Sequence, residues 1–153
     1  MKCLMVCLGN ICRSPIAEGV MKKLVAERKL DWQVDSAGTN GYHIGEAPHK
    51  YSQKVCKKHG IDISNQRARR FSSKDFEQYD LIFVMAADVY DDLQRWAPKP
   101  EDMEKVHYFL DALYPNVSAE VPDPWYGDES GYEPVYQMIA KGCEAILDKW
   151  TKS

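Results

Sequence analysis

The chain has 153 residues, an ordinary size for one domain and enough to bury a proper core. Its 44% hydrophobic and 28% charged residues are those of a soluble globular protein, and a net charge of −3 gives no case for a nucleic-acid or membrane surface. No apolar run approaches the length that spans a bilayer.

The stretch from Cys3 to Leu8 is too short for a signal peptide, so the expected compartment is the cytoplasm. Five scattered cysteines fit reduced thiols better than a disulfide framework. Cys3, Cys56 and Cys143 read as small buried hydrophobes. No second Cys/His pair stands at ligand spacing, so no zinc or other metal is expected.

Cys3-Leu4-Met5-Val6-Cys7-Leu8 predicts a strand buried on both faces of a parallel sheet. A helix follows, with Ser14 as N-cap and Pro15 at its first position. Ile16, Val20 and Leu24, widened by Ala17, Met21 and Val25, form its apolar stripe. Trp32 to Asp35 reads as a second strand, closed by Ser36-Ala37-Gly38. A loop from Gly38 to Gly45 leads to a helix beginning near Ala47-Pro48. Lys57, Lys58 and His59 in the last turn, then Gly60, mark its end.

Asp80 to Met85 predicts the third strand, Asp88 to Trp96 a helix, and Lys105 to Phe109 a fourth strand. Val135, Met138, Ile139, Gly142, Ala145, Ile146 and Trp150 repeat at helical spacing and predict the last helix. The alternation implies one α/β domain over residues 1–153, with a mostly parallel sheet and right-handed crossovers. Ligands of such sheets lie beyond the carboxyl ends of strands, where the first loop sits.

That loop, Cys7-Leu8-Gly9-Asn10-Ile11-Cys12-Arg13 followed by Ser14-Pro15, carries the most chemistry. Backbone N–H groups, a helix N-terminus and a guanidinium gather around one point, which attracts a tetrahedral oxyanion, above all phosphate. The same groups favour the thiolate of Cys7 beneath it. The planar fork of Arg13 can take two phosphate oxygens together. Gly9 and Asn10 tolerate positive φ, which lets a tight loop aim its N–H groups inward. Ser14 can cap the helix and also hydrogen-bond the Cys7 sulfur, easing its departure from a phosphocysteine. The Walker A pattern is absent, so nucleoside triphosphate binding is not the reading.

Phosphoryl transfer to a thiolate needs a proton for the leaving oxygen. Val121-Pro122-Asp123-Pro124-Trp125-Tyr126-Gly127 offers the best candidate, because flanking prolines hold Asp123 extended and out of any helix. Asp-Pro is also an ordinary turn signal. Asp35, Asp88 and Asp128 are rival carboxylates in weaker context.

These segments resemble the low-molecular-weight protein tyrosine phosphatases over nearly the whole chain. The likeness runs through Val6 to Glu18, Asp35-Ser36-Ala37-Gly38-Thr39, His59-Gly60-Ile61 and Asp123 to Gly127. It implies a four-stranded parallel sheet flanked by helices, with the phosphate-binding loop after the first strand. It also implies metal-independent hydrolysis of phosphotyrosine in proteins, or of small aryl phosphates, without a cofactor and with inorganic phosphate as product.

Cys7 then resembles the nucleophile, Arg13 the phosphate clamp, and Asp123 the general acid and later base. Leu8, Gly9, Asn10, Ile11, Cys12 and Ser14 fall in the phosphate loop, and Asn10 and Ser36 match the pair that holds it in shape. Cys12 matches a second loop cysteine able to form a reversible disulfide with Cys7. Tyr42, Trp125 and Tyr126 fall where the family places aromatic walls around the substrate ring, with ordinary packing as the alternative for all three. Two departures stand out: Met85 is followed by Ala86-Ala87 where many relatives carry an aspartate, and Asn65 or Gln66 stands in for a loop-supporting histidine of vertebrate members. Arg67, Arg69 and Arg70 read as a solvated basic face, alternatively a substrate-docking one.

Three other readings share the loop. An arsenate reductase relay needs further cysteines after the third strand, and none occurs from Leu81 to Leu113. A phosphocysteine carrier of sugar transport has no need of an acid such as Asp123. A silent phosphotyrosine-binding module leaves nucleophile, clamp and acid together unexplained.

Overall fold

The computed structural model describes residues 1–151. Its sheet consists of β1 (Lys2–Cys7), β2 (Gln33–Gly38), β3 (Leu81–Val84) and β4 (Val106–Tyr108), all parallel, in the order β2-β1-β3-β4. The helices are α1 (Arg13–Glu27), α2 (Lys50–Lys58), α3 (Asp75–Gln78), α4 (Ala87–Trp96) and α5 (Tyr132–Trp150). The expected four-stranded parallel sheet with flanking helices is therefore present.

β1 lies between neighbours on both edges, and its residues alternate between two cores. Cys3, Met5 and Cys7 belong to the core that α1 and α5 help to build through Ile16, Val20, Met21, Ile139 and Ile146. Leu4 and Val6 belong to the other, with Phe71, Phe76, Val89 and Leu93. A strand covered on both faces has no polar side to show, hence its unbroken apolar run. The chain leaves β1 toward β2 on one side and reaches β3 on the other, so the loop after Cys7 occupies the point where strand order reverses.

β2 runs three residues further than its local pattern suggests. Ser36, Ala37 and Gly38 pair with Met5, Val6 and Cys7, a non-local ladder that turn-like composition hides. Gly38 is needed there for space: a Cβ at this position would stand 2.9 Å from the Leu8 carbonyl oxygen and 3.0 Å from the Asn10 nitrogen. Both are backbone atoms of the loop after β1 and cannot swing aside. Gly38→Ala is therefore expected to destabilise the fold by about 1–3 kcal/mol, read as a lower midpoint of thermal unfolding, together with reduced activity. An unchanged midpoint would refute the close approach.

α2 begins at Lys50, later than Ala47-Pro48, because His49 is its cap and accepts the Tyr51 N–H through Nδ1 at 3.1 Å. Gly60 has φ of +81°, the left-handed geometry expected of a residue closing a helix. The short α3 has too few residues to announce itself by periodicity.

Candidate active site

Loop, helix and acid-bearing segment meet at the carboxyl end of β1. A cavity of about 270 Å³ there is lined by Cys7, Leu8, Gly9, Ile11, Cys12, Arg13, Asn40, Tyr42, His43, Asp123, Trp125 and Tyr126. Of the residues singled out from sequence, Asn10, Ser14 and Ser36 stand behind this surface as its supports. Asn40 and His43 were missed, because no motif marks them. Their one signal was position in the glycine-bearing loop that faces the cradle.

The loop is held open from outside. The carbonyls of Cys7, Leu8 and Ile11 accept from the backbone N–H groups of Thr39 at 3.0 Å, Asn40 at 2.9 Å and His49 at 2.8 Å, and the Cys12 carbonyl from the Ser52 hydroxyl at 3.3 Å. Asn10 sits at φ +57°, a value its short polar side chain tolerates. Among the described residues, the N–H groups from Leu8 to Cys12 have no protein acceptor. A run of free donors at the mouth of a helix is a nest for an anion.

Arg13 is almost wholly buried, yet its fork remains within reach of the cradle. Nη1 donates to the Val121 carbonyl at 3.0 Å, Nη2 lies 3.5 Å from Asp123 Oδ2, and buried Nε has no partner. An unpaired buried guanidinium donor is unfavourable unless an anion meets it. Asp123 is extended (φ −88°, ψ 109°), as its prolines dictate, and its Oδ1 accepts the Trp125 N–H at 3.1 Å. The segment is anchored to the sheet by Val121 N–H, which donates to the Met85 carbonyl at 2.8 Å. The carboxyl group is thereby held at the wall of the cavity that Cys7 also lines, and it stays partly exposed.

Ser14 does not cap α1, contrary to expectation. The helix begins at Arg13 without a side-chain cap, and the Ser14 hydroxyl turns inward to lie 3.0 Å from Cys7 Sγ. Of its two predicted duties, the sulfur contact wins. Asn10 Nδ2 donates to Ser14 Oγ at 2.7 Å and to Ser36 Oγ at 2.9 Å, while Asn10 Oδ1 accepts the Arg69 N–H at 3.0 Å.

Neither Asn65 nor Gln66 takes part in this network. Gln66 donates instead to the Pro15 carbonyl at 3.1 Å. Within the basic cluster Arg67 and Arg70 are exposed, whereas the part-exposed Arg69 forks onto Asp75 at 3.1 Å through both nitrogens. Ala87 follows Ala86 at the start of α4, where the Glu120 carboxylate accepts its N–H at 2.8 Å.

Tyr42 (84% exposed) and Tyr126 (79%) stand upright at the rim, and Trp125 packs its ring against His43 and His49 at 5.7 and 5.4 Å. All five cysteines are free and buried. Burial pushes the thiols of Cys3, Cys12 and Cys56 up to about 12, so all three are protonated at neutral pH. The Tyr132 hydroxyl, 3.5 Å from Cys12 Sγ, opposes that shift without reversing it.

The profile of the family described as low molecular weight phosphotyrosine protein phosphatase matches residues 2–153. The chain belongs to this family. The protein of that name from Gallus gallus is 41% identical over 148 residues, covering 95% of this chain and 93% of the relative. A protein tyrosine phosphatase from Entamoeba histolytica, crystallised with Hepes in its active site, superposes with a TM-score of 0.92 at 38% identity, over 99% of this chain and 97% of that one. A Drosophila arginine phosphatase superposes with a TM-score of 0.92 at 32% identity, over 100% and 99%. Membership in the low molecular weight phosphatase family thus extends over the whole architecture and is not confined to the loop.

Proposed function

We propose that the protein hydrolyses phosphotyrosine and other aryl phosphate monoesters in two steps at Cys7. The observation that carries this reading is Asp123 poised beside Arg13, over the same cavity that Cys7 lines. In the first step Cys7 Sγ attacks phosphorus in line and the P–O bond breaks. Its electron pair goes to the phenolic oxygen, which takes the proton of Asp123. Arg13 and the loop amides hold the equatorial oxygens. In the second step Asp123 takes a proton from water as the water oxygen attacks phosphorus. The P–S bond breaks with its pair to sulfur, and inorganic phosphate leaves.

Leu8, Ile11 and Trp125 make the pocket apolar enough for a phenyl ring. Cys12 opens onto the same cavity, which supports a reversible disulfide with Cys7 under oxidation.

The test is turnover in the presence of EDTA of para-nitrophenyl phosphate, phenyl phosphate, and phosphotyrosyl, phosphoseryl and phosphoarginyl peptides. Phosphotyrosyl and aryl phosphates are expected to turn over without metal, and a preference for the phosphoarginyl peptide would displace the aryl reading. Asp123→Asn is expected to lower kcat/KM by about 10²–10⁴-fold on phenyl phosphate, and by less on the nitrophenyl ester, whose better leaving group needs less help. Equal losses on both would remove Asp123 from the acid's role.

A further inference from the structure

α2 buries Ser52, Val55 and Cys56 and shows Lys50, Lys54, Lys57 and Lys58 to solvent. Lys50, Lys54 and Lys57 stand at i, i+4 and i+7, so they fall within about 60° of one another around the helix axis and form one stripe. The stripe borders a groove of about 590 Å³ whose lining also includes Ile61, Asp62 and Ser64. It begins at the catalytic cavity. His49 immediately precedes Lys50, and its ring lies 5.4 Å from that of Trp125, a wall of that cavity.

Stability does not account for this placement. A lysine in the first turn opposes the helix dipole, and no acidic residue stands there to offset it. Like charges one turn apart repel. Lys54 is paired with Glu129 and Lys58 with Glu133, whereas among the described residues Lys50 and Lys57 form no ion pair. The Lys50 ammonium rests over the Tyr51 ring, 5.1 Å from its centroid, which keeps it near the cavity without neutralising it. Asp62 shares the groove but turns its carboxylate to the Ser64 N–H at 2.8 Å.

The shape of the charge says what it fits. Glu129 and Glu133 flank the lysines on the side away from the groove, so the positive surface is narrow. A flat anionic membrane would press on those carboxylates as well, but a single chain lying in the groove meets the lysines first. Lys50 and Lys54 are about 6 Å apart along the axis, close to the roughly 7 Å between alternate side chains of an extended strand. Neighbouring lysines can therefore each take a carboxylate from one face of such a strand. We propose that this stripe docks an acidic stretch of the phosphorylated protein substrate, extended along α2 while its phosphotyrosine occupies the Cys7 cavity.

Exposed charges outside the cavity act on capture of the substrate and not on the chemical step, so the effect falls on kcat/KM and weakens with salt. The docking rests on hydrolysis of phosphotyrosine at Cys7 and is tested apart from it. Turnover is measured for phosphotyrosyl peptides carrying an aspartate run at increasing distance on either side of the phosphotyrosine, for the same peptides with serine in its place, and for para-nitrophenyl phosphate. Wild type is expected to favour the best acidic peptide by about tenfold in kcat/KM at low salt. Lys50→Glu/Lys57→Glu is expected to remove that advantage and to leave the serine peptides and para-nitrophenyl phosphate unchanged. Its thermal midpoint is expected not to fall, since a carboxylate suits the first turn. Lys50→Gln/Lys57→Gln is expected to give the same selective loss in smaller measure, which keeps the test decisive if charge reversal disturbs α2.

Equal kcat/KM for acidic and serine peptides in wild type, or an advantage that survives both double variants, overturns the proposal. So does wild-type binding to phosphatidylserine vesicles that the variants lose while both peptide series behave alike, which would give the stripe to a membrane. Failure of the phosphatase reading shows differently, as a wild type that turns over none of the substrates or as turnover of all of them retained in Cys7→Ser.

Discussion

Cys7→Ser is expected to lower aryl phosphate turnover by about 10⁴-fold or more, while the variant still folds and still binds inorganic phosphate. The reason lies in what surrounds the sulfur. The Ser14 hydroxyl lies 3.0 Å from it, and loop N–H groups and Arg13 face the cradle above it. A thiol forms a nucleophilic anion far more readily than an alcohol does. The cradle itself does not depend on sulfur, because its carbonyls are tied to Thr39, Asn40, His49 and Ser52. Calorimetric titration with phosphate separates the two properties. Turnover near wild type in the serine variant would end the phosphocysteine mechanism, and loss of phosphate binding together with turnover would mean the loop had collapsed.

Arg13→Lys is expected to lower kcat by about 10²–10³-fold, with a smaller change in KM. Lysine keeps the charge but lacks the fork, and three separate things depend on the fork. Nε is free for a phosphate oxygen, Nη1 holds the Val121 carbonyl, and Nη2 stands beside Asp123. A compact ammonium reaches at most one of these positions at a time. The acid segment loses one of its two ties when the Val121 carbonyl is released, the bond from its N–H to Met85 remaining, so the Arg13→Lys and Asp123→Asn losses are expected to overlap and not to multiply. Fully multiplicative losses would mean that Arg13 binds phosphate without steadying the acid.

Much of this was legible in the sequence where it depended on neighbours along the chain. The apolar run of β1, the cysteine and arginine closing one loop, and the prolines that hold Asp123 extended are all local facts. What escaped depends on residues brought together from afar. Ser36 to Gly38 look like a turn until the parallel partner Met5 to Cys7 is beside them. Ser14-Pro15 is a sound helix start, and only the nearby sulfur and Asn10 redirect the hydroxyl. Arg69 among basic neighbours looks solvated until Asp75 meets it. Glu18 reads as one more helix charge, and its burial follows from contact with a serine on β2 that no periodicity could announce.

The carbonyl ties that hold the phosphate loop also divide the site into two kinds of material. The groups proposed to handle phosphorus are fastened to the sheet or to a helix, whereas Tyr42 and Tyr126, proposed to meet the rest of a substrate, stand free at the rim. Chemistry and selectivity are therefore separable variables in this molecule. Exchanging these two rim residues is then expected to change the clientele and leave the reaction intact, and a library confined to positions 42 and 126 would sample new phosphorylated partners on an unaltered catalytic base.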